Sequence, residues 1–327
     1  MNSLNVGIIG CGRAAELIYL PALQKFPGIN LTAAVDTIGE RRRLISDNFK
    51  NCVQYSSINS DIINEVDAAI ISTPPDTHVA LSSEFLKRDK YVLVEKPLAL
   101  SMAGIKELID QETSSKASLM MGFNYRYWRP VADLKERLLK NSSVDFAEIV
   151  FTGDYSKWNP VSYVSDPLDD LGPHVFDLIK FIIDEEIISV SAKSLDMKNL
   201  ELNVRVSEKI NIHCKVGHSA KTIRSLKIKS ERENFYLTLK SARILPASGN
   251  LRTLLDLDDR IKRKLLRTTS PVKETYETQL RNFFNFVRLN KKANPGIKDG
   301  VSAILAVRAA RKSINNNGKE IFLNDIN

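Results

Sequence analysis

Short apolar runs rich in Val and Ile alternate with amphipathic stretches over the first 120 residues of the chain. The runs are Val6–Ile9, Leu31–Val35, Ala68–Ser72, Tyr91–Val94 and Leu119–Met121. Each has the length and composition of a strand buried on both faces. Between them, Ala14–Phe26, Glu40–Lys50, Thr77–Lys87 and Ser101–Gln111 carry helical spacing, with Asp76 and Ser101 placed to cap two of the helices. Strand–helix alternation predicts an α/β domain built on a doubly wound parallel sheet, with the C-terminal ends of its strands along one edge.

The pattern changes after Arg126. Trp128–Lys140 reads as a helix and Phe146–Tyr155 as a strand, and a Pro-containing loop leads to an apolar helix after Gly172. Strand-like runs follow at Ile187–Ala192, Asn203–Val206, Lys209–Val216, Ser225–Lys229 and Phe235–Leu239. Several alternate apolar and polar positions, as in an antiparallel sheet with one solvent face. Helices over Glu274–Leu289 and Lys298–Ile314 close the chain. With 327 residues the chain is too long for one ordinary core, and the change in texture divides it into residues 1–123 and 124–327.

Composition narrows the class of protein. With 43% apolar and 26% charged residues it reads as globular, and no apolar run approaches a membrane span. Three well-separated cysteines, Cys11, Cys52 and Cys214, argue against a disulfide framework, and no export leader is visible. A cytoplasmic location is expected. The net charge of +8 is uneven, −2 over residues 1–125 and +10 over 126–327. That imbalance suits an anionic small ligand, and equally a lysine-rich solvated surface. The basic run Arg260–Arg267 sits beside Asp256, Asp258 and Asp259 and lacks any recognition motif, so no nucleic-acid partner is expected.

The first strand ends in Gly10-Cys11-Gly12-Arg13-Ala14-Ala15, a G-x-G-x-x-A turn before a helix. Glycines there permit a tight turn and close approach of a pyrophosphate, and the helix N-terminus offers N–H groups. Asp36, at the end of the second strand, is placed to bind ribose hydroxyls and to repel a 2′-phosphate. NAD is therefore the expected cofactor. Arg41, Arg42 and Arg43 leave NADP open. Ser72, Thr73 and Pro74 stop a strand at the binding edge and read equally as a turn or as a wall beside the nicotinamide.

Lys96, after Val94 and Glu95 at the same edge, is either a surface lysine or an ammonium aimed at a developing alkoxide. His174 opens an apolar helix and serves either as a cap or as a base, with Asp170 four residues earlier to orient its ring. His213, Cys214 and His218 lie in a strand-like stretch without a fourth ligand, so no metal is expected. Cys11 has no resolving partner nearby, and a structural role suits it better than redox chemistry.

These residues, taken in order, resemble the Gfo/Idh/MocA oxidoreductases over essentially the whole length. The resemblance is carried by the glycine loop at 10–15, Asp36, Thr73-Pro74 with His78, and Glu95-Lys96-Pro97. It continues through Gly122, Arg126-Tyr127 and Pro130 to Leu168, Asp170, Gly172, His174 and Asp177 in an L-x-D-x-G-x-H-x-x-D arrangement. It implies a Rossmann domain followed by an α/β domain whose open, mainly antiparallel sheet forms oligomer contacts, as in a homodimer or tetramer. It also implies a catalytic group of Lys96, Asp170 and His174, with Gly10, Cys11, Gly12, Arg13, Ala14, Asp36, Ser72, Thr73, Pro74, His78, Glu95 and Lys96 around the cofactor. Tyr125, Arg126, Tyr155, Lys157 and Trp158 are the candidate contacts to a sugar-like substrate. Two departures stand out, Tyr19-Leu20-Pro21 in place of His-x-Pro and Ser165-Asp166 in place of Gly-Gly. The expected reaction is NAD-dependent hydride transfer at a secondary alcohol or ketone of a sugar, sugar nucleotide or cyclitol. The alternative is a non-catalytic NAD(P)-binding regulator or scaffold.

Overall fold

The computed structural model describes residues 3–141, 144–153, 166–231, 233–239, 241–246 and 271–326. The chain forms two compact units, Met1–Asn124 with Tyr276–Ile304, and Tyr125–Thr275 with Leu305–Asn327. The first crossing falls beside the 123/124 boundary expected from sequence. The difference lies in segment 276–304, which returns to the first unit. Its Pro295 carbonyl accepts the Met121 N–H at 2.8 Å, Ser118 Oγ accepts from Ala293 N–H at 3.1 Å, and Ile297, Ala303 and Ile304 enter the apolar core of the first sheet.

The sheet of the first unit comprises β1 (Leu4–Ile9), β2 (Ile29–Val35), β3 (Val53–Tyr55), β4 (Ala68–Ile71), β5 (Tyr91–Val94) and β6 (Leu119–Met121). All pairs are parallel, in the order β3-β2-β1-β4-β5-β6. The order reverses between β1 and β4, which opens a crevice at their C-terminal ends, where ligands of such sheets bind. A π-helical turn at Ala15–Tyr19 leads into α1 (Leu20–Leu23), with α2 (Gly39–Ser46), α3 (Ser60–Glu65), α4 (His78–Leu86) and α5 (Ile105–Ser114) following.

Local chemistry accounts for where these helices depart from the sequence expectation. Pro21 has no N–H, and the ladder ahead of it widens so that Leu20 N–H reaches the Ala15 carbonyl five residues back. The expected cap at Asp76 is not made, because a 3₁₀ turn at Pro75–Thr77 comes first. Ser101 does not cap α5 either. Its hydroxyl accepts from Ala103 N–H, and Gly104 enters the helix from the left-handed region at φ 75°.

The second unit carries α6 (Arg129–Asn141), β7 (Val144–Gly153), α7 (Pro167–Ile183), β8 (Ser189–Ser194), β9 (Asn199–Arg205), β10 (Asn211–His218), β11 (Ile223–Ser230), β12 (Glu233–Thr238), β13 (Ser241–Pro246) and β14 (Ile321–Phe322). The strands form one sheet in the order β13-β12-β11-β7-β10-β9-β8-β14. Only β7 and β10 pair in parallel, so the sheet is mixed and mainly antiparallel. Two helices, α8 (Pro271–Leu289) and α9 (Ile297–Asn315), precede β14. Ala147, Ile149 and Phe151 of β7, and Ile212, Cys214 and Val216 of β10, share one buried core with α7 and with Ala306, Ala309 and Ala310 of α9. Among the described residues no helix is long and apolar enough to cross a membrane.

Helix α7 begins earlier than expected. Asp166 caps it by accepting the Leu168 N–H at 2.8 Å, and Pro167 occupies the first turn, where no N–H is needed. Pro173 lies inside the helix and removes the usual donor to the Asp169 carbonyl, yet the helix runs on to Ile183. His174 is thus a mid-helix residue rather than the opening one. One turn later Asp177, 3% exposed, binds the guanidinium of Arg126, 9% exposed, through contacts of 3.0, 3.0 and 2.6 Å. Asp177→Asn, which strips the pairing charge from a buried cation, is expected to cost about 3–5 kcal/mol in urea unfolding. A loss below about 1 kcal/mol would show that this pair does not hold α7.

Candidate active site

The glycine turn is built from both sides of the order reversal. Gly10 sits at φ 91°, and a Cβ there would lie 2.7 Å from the Ser72 carbonyl carbon and from Thr73 N. Gly10 N–H bonds the Val35 carbonyl at 2.8 Å, and Ser72 Oγ donates to the Gly10 carbonyl at 2.8 Å. Beside Gly12, by contrast, a Cβ would meet nothing within 4 Å. The backbone is therefore pinned at Gly10 and open at Gly12, the pattern a pyrophosphate needs.

Asp36 holds this turn as well as facing the crevice. Its Oδ2 accepts Cys11 N–H at 2.8 Å and its Oδ1 accepts Ile38 N–H at 2.8 Å, while Arg42 donates to its backbone carbonyl. Each carboxylate oxygen retains a further lone pair for a hydroxyl. Cys11 is buried, and burial with the nearby Asp36 charge pushes its thiol up to about 12, so it is an inert part of the turn. Arg13 is an exposed side chain paired with Glu16 at 3.1 Å, and Ala14 precedes the π turn. These residues fit the phosphates and ribose of a dinucleotide.

At the end of β5, Glu95 and Lys96 stand on the same edge. Glu95 Oε1 accepts from the buried Tyr19 hydroxyl at 2.6 Å, and Oε2 accepts the Lys96 N–H at 3.2 Å. Loss of solvent raises the Glu95 carboxyl above its usual range, opposed by the Tyr19 hydrogen bond and the Lys96 charge. Tyr19, where the resemblance leads one to expect His, is thus the support of Glu95. His78 lies wholly buried at the start of α4 with Nδ1 2.8 Å from the Pro97 carbonyl and Nε2 2.9 Å from the Thr73 carbonyl. Burial lowers its pKa. The ring ties the Thr73-Pro74 wall to the Lys96-Pro97 segment from behind. Thr77 Oγ1 donates to the Pro74 carbonyl at 2.8 Å and reinforces that wall.

In the second unit, Asp170 and His174 are four residues apart on α7 and share a face. Tyr125 packs edge-on against His174, with ring centroids 5.0 Å apart at 86°, and edge-on against Phe151 at 5.1 Å. Its hydroxyl accepts from Arg224 Nε at 2.8 Å. The Arg224 guanidinium lies 4.7 Å over the Phe151 ring and also donates to the Thr152 carbonyl. Arg311 on α9 bridges Asp166 at 2.8 Å and Asp169 at 2.7 Å. The carboxylate added at Asp166 is thus engaged in capping and pairing. Arg126, considered above as a substrate contact, has its charge engaged by Asp177.

Sequence reasoning missed Arg224 and weighed His218 only as a metal ligand. Strand parity was the available signal, since Arg224 is in phase with buried Leu226 and Ile228, and His218 with Ile212, Cys214 and Val216. His213 has the opposite phase and meets Asn203 Oδ1 at 3.1 Å, which separates it from His218. Among the described residues no group of three or more His, Cys, Asp or Glu is placed to hold a metal ion. Tyr155, Lys157 and Trp158 lie outside the described residues.

A parallel sheet of this order, with a glycine turn at its reversal and an acidic residue just after the second strand, has the form of a dinucleotide-binding domain. Residues 4–123 match the model of the Gfo/Idh/MocA oxidoreductase family, described as an NAD-binding Rossmann fold. Inositol 2-dehydrogenase of Rhizobium meliloti is 24% identical over 193 residues, 58% of this chain and 58% of that protein. The alignment therefore spans less than two thirds of that relative. Myo-inositol 2-dehydrogenase of Thermotoga maritima is 25% identical over 334 residues, covering 95% of this chain and 96% of its own length. The WlbA dehydrogenase from Bordetella pertussis, solved in complex with NADH and UDP-GlcNAcA, shares the fold with a TM-score of 0.82 at 16% identity, over 98% of each chain.

The contrast between the two glycines yields an expectation. Gly12→Ala should leave the melting temperature in place while weakening NAD binding about tenfold or more by calorimetry, because the methyl fills the approach to the backbone. Gly10→Ala should instead lower stability by about 1–3 kcal/mol, because the left-handed backbone and the Ser72 contact are both violated. Equal effects of the two substitutions on melting and on NAD binding would remove this division of labour.

Proposed function

We propose that this chain transfers a hydride between NAD and a secondary alcohol or ketone on a sugar, sugar nucleotide or cyclitol. The observation that carries the reading is the position of Lys96. It follows β5 at the C-terminal edge of the sheet whose Gly10 turn and Asp36 carboxylate suit a dinucleotide. NAD, when bound, supplies the hydride acceptor or donor. Lys96 presents an ammonium to the substrate oxygen as alkoxide character develops. His174 takes the hydroxyl proton during oxidation and returns it during reduction. Asp170 orients the imidazole and offsets the charge it gains. Tyr125, packed against the ring edge-on, limits its rotation.

The substrate class rests on the relatives. The names of two similar proteins state inositol dehydrogenation, and the Bordetella pertussis structure holds UDP-GlcNAcA. A net charge of +10 over residues 126–327 favours an anionic member of that class. Tyr155, Lys157 and Trp158 join Tyr125 as proposed substrate contacts. A homo-oligomeric state and a cytoplasmic location complete the reading.

The test is a screen of inositols, sugars and sugar nucleotides followed by NADH absorbance. Turnover of at least one is expected. His174→Ala should lower kcat by about 10²–10⁴ without changing NAD affinity, the usual cost of losing a general base. Lys96→Ala should also slow turnover, through loss of charge stabilisation. Near-normal turnover in His174→Ala would refute the assignment of the base.

A further inference from the structure

His218 ends β10 in phase with Ile212, Cys214 and Val216, and so lies on the sheet face that packs against α7. Its Nε2 stands 3.9 Å from Asp170 Oδ2, with the two side chains only 13% and 11% exposed. Asp170 shares its helix face with His174, one turn further on. One carboxylate thus has an imidazole near it from β10 and a second one turn further along its own helix.

We propose that His218 is a positioning residue that acts on His174 through Asp170, an inference that rests on the roles given above to Asp170 and His174. A proton on His218 draws the Asp170 charge toward the sheet and leaves less of it to stabilise a proton on His174. Neutral His218 leaves that charge to His174. Two bases sharing one carboxylate titrate as a coupled pair, and the less basic member is held down by the more basic one. The other charged groups around them, among the described residues, are Arg224 on β11, Asp169 and Asp177 on α7 with their partners Arg311 and Arg126, and Lys198, whose carbonyl accepts the His218 backbone N–H. Arginine and lysine keep their charge through the range in which imidazoles titrate. Asp169, whose carboxyl burial raises, is held charged by Arg311, so the pH-dependent part of the arrangement lies chiefly with the two rings and Asp170.

The chain has four histidines, His78, His174, His213 and His218, so nitrogen-15 labelling of histidine in the full protein lets each ring be titrated by NMR. The test compares wild type with His174→Gln, His218→Gln and His213→Gln. Whichever of His174 and His218 titrates at lower pH is expected to move up by about half a unit or more when the other is replaced. Neither should move in His213→Gln. The shift is read in the variant that removes the more basic ring; should that variant fail to fold, Asp170→Asn, which removes the shared charge, is expected to lower both midpoints. Midpoints unchanged in both His174→Gln and His218→Gln would overturn the proposal. Coupled midpoints in a protein that turns over no sugar or cyclitol would support the coupling and count against the proposed reaction alone. Turnover with uncoupled histidines would count against this proposal alone.

Discussion

Helix α7 must bury ionisable side chains, and the second unit is arranged around supplying their partners. Within 12 residues it carries Asp166, Asp169, Asp170, His174 and Asp177 on a helix that is otherwise largely apolar and enclosed. Asp177 is buried and the other acids are partly so, and an unpaired charge at Asp177 would cost several kcal/mol. Arg311 arrives from α9, Arg126 from the turn that opens the second unit, and His218 from the end of β10. The acidic residues crowd the helix N-terminus, where the backbone dipole also favours them. Burial at Asp177 and pairing at Asp166 and Asp169 restrict the rotamers of these groups.

The first unit meets a different demand with backbone rather than charge. Its crevice edge is held by Gly10 against Ser72, by Asp36 across the glycine turn, and by His78 behind the Thr73 and Pro97 carbonyls. Tyr19 belongs to the same support. A phenol at this position donates one short hydrogen bond to Glu95, whose carboxyl in turn holds the Lys96 N–H. The departure from His-x-Pro therefore keeps a donor beneath Glu95, while Pro21 imposes the π turn that carries Tyr19 there. Backbone and side-chain supports of this kind leave the ammonium of Lys96 as the chemically distinctive group at the strand end.

Much of this was legible in the sequence because burial on both faces leaves a strong mark. β1, β2, β4, β5 and β6 are continuous apolar runs and were read as strands. β3 and α3 escaped because β3 presents exposed Val53 and Gln54 and α3 is six residues of mixed polarity. Lys96, Asp170 and His174 stand out as parts of ordered motifs, since local spacing survives in one dimension. Their supports were not found, because Arg224, Arg311 and His218 reach them across the fold. Parity along β10 and β11 would have flagged the inward-facing residues, but not what they meet. Residue pairs such as Met121 and Pro295 carry no local pattern at all.

That last pairing bears on how the molecule is made. β6 is the outer strand of its sheet, and its free rim is partly closed by chain from positions 293–296, made more than 170 residues after β6 itself. A piece cut at residue 123 would contain every strand of the nucleotide half and still bare an unsatisfied row of amides and carbonyls beside Leu119 and Met121, an invitation to self-association. The segment that the family model matches is therefore shorter than the compact unit it belongs to, and a nascent chain must keep that rim guarded until residues 276–304 arrive.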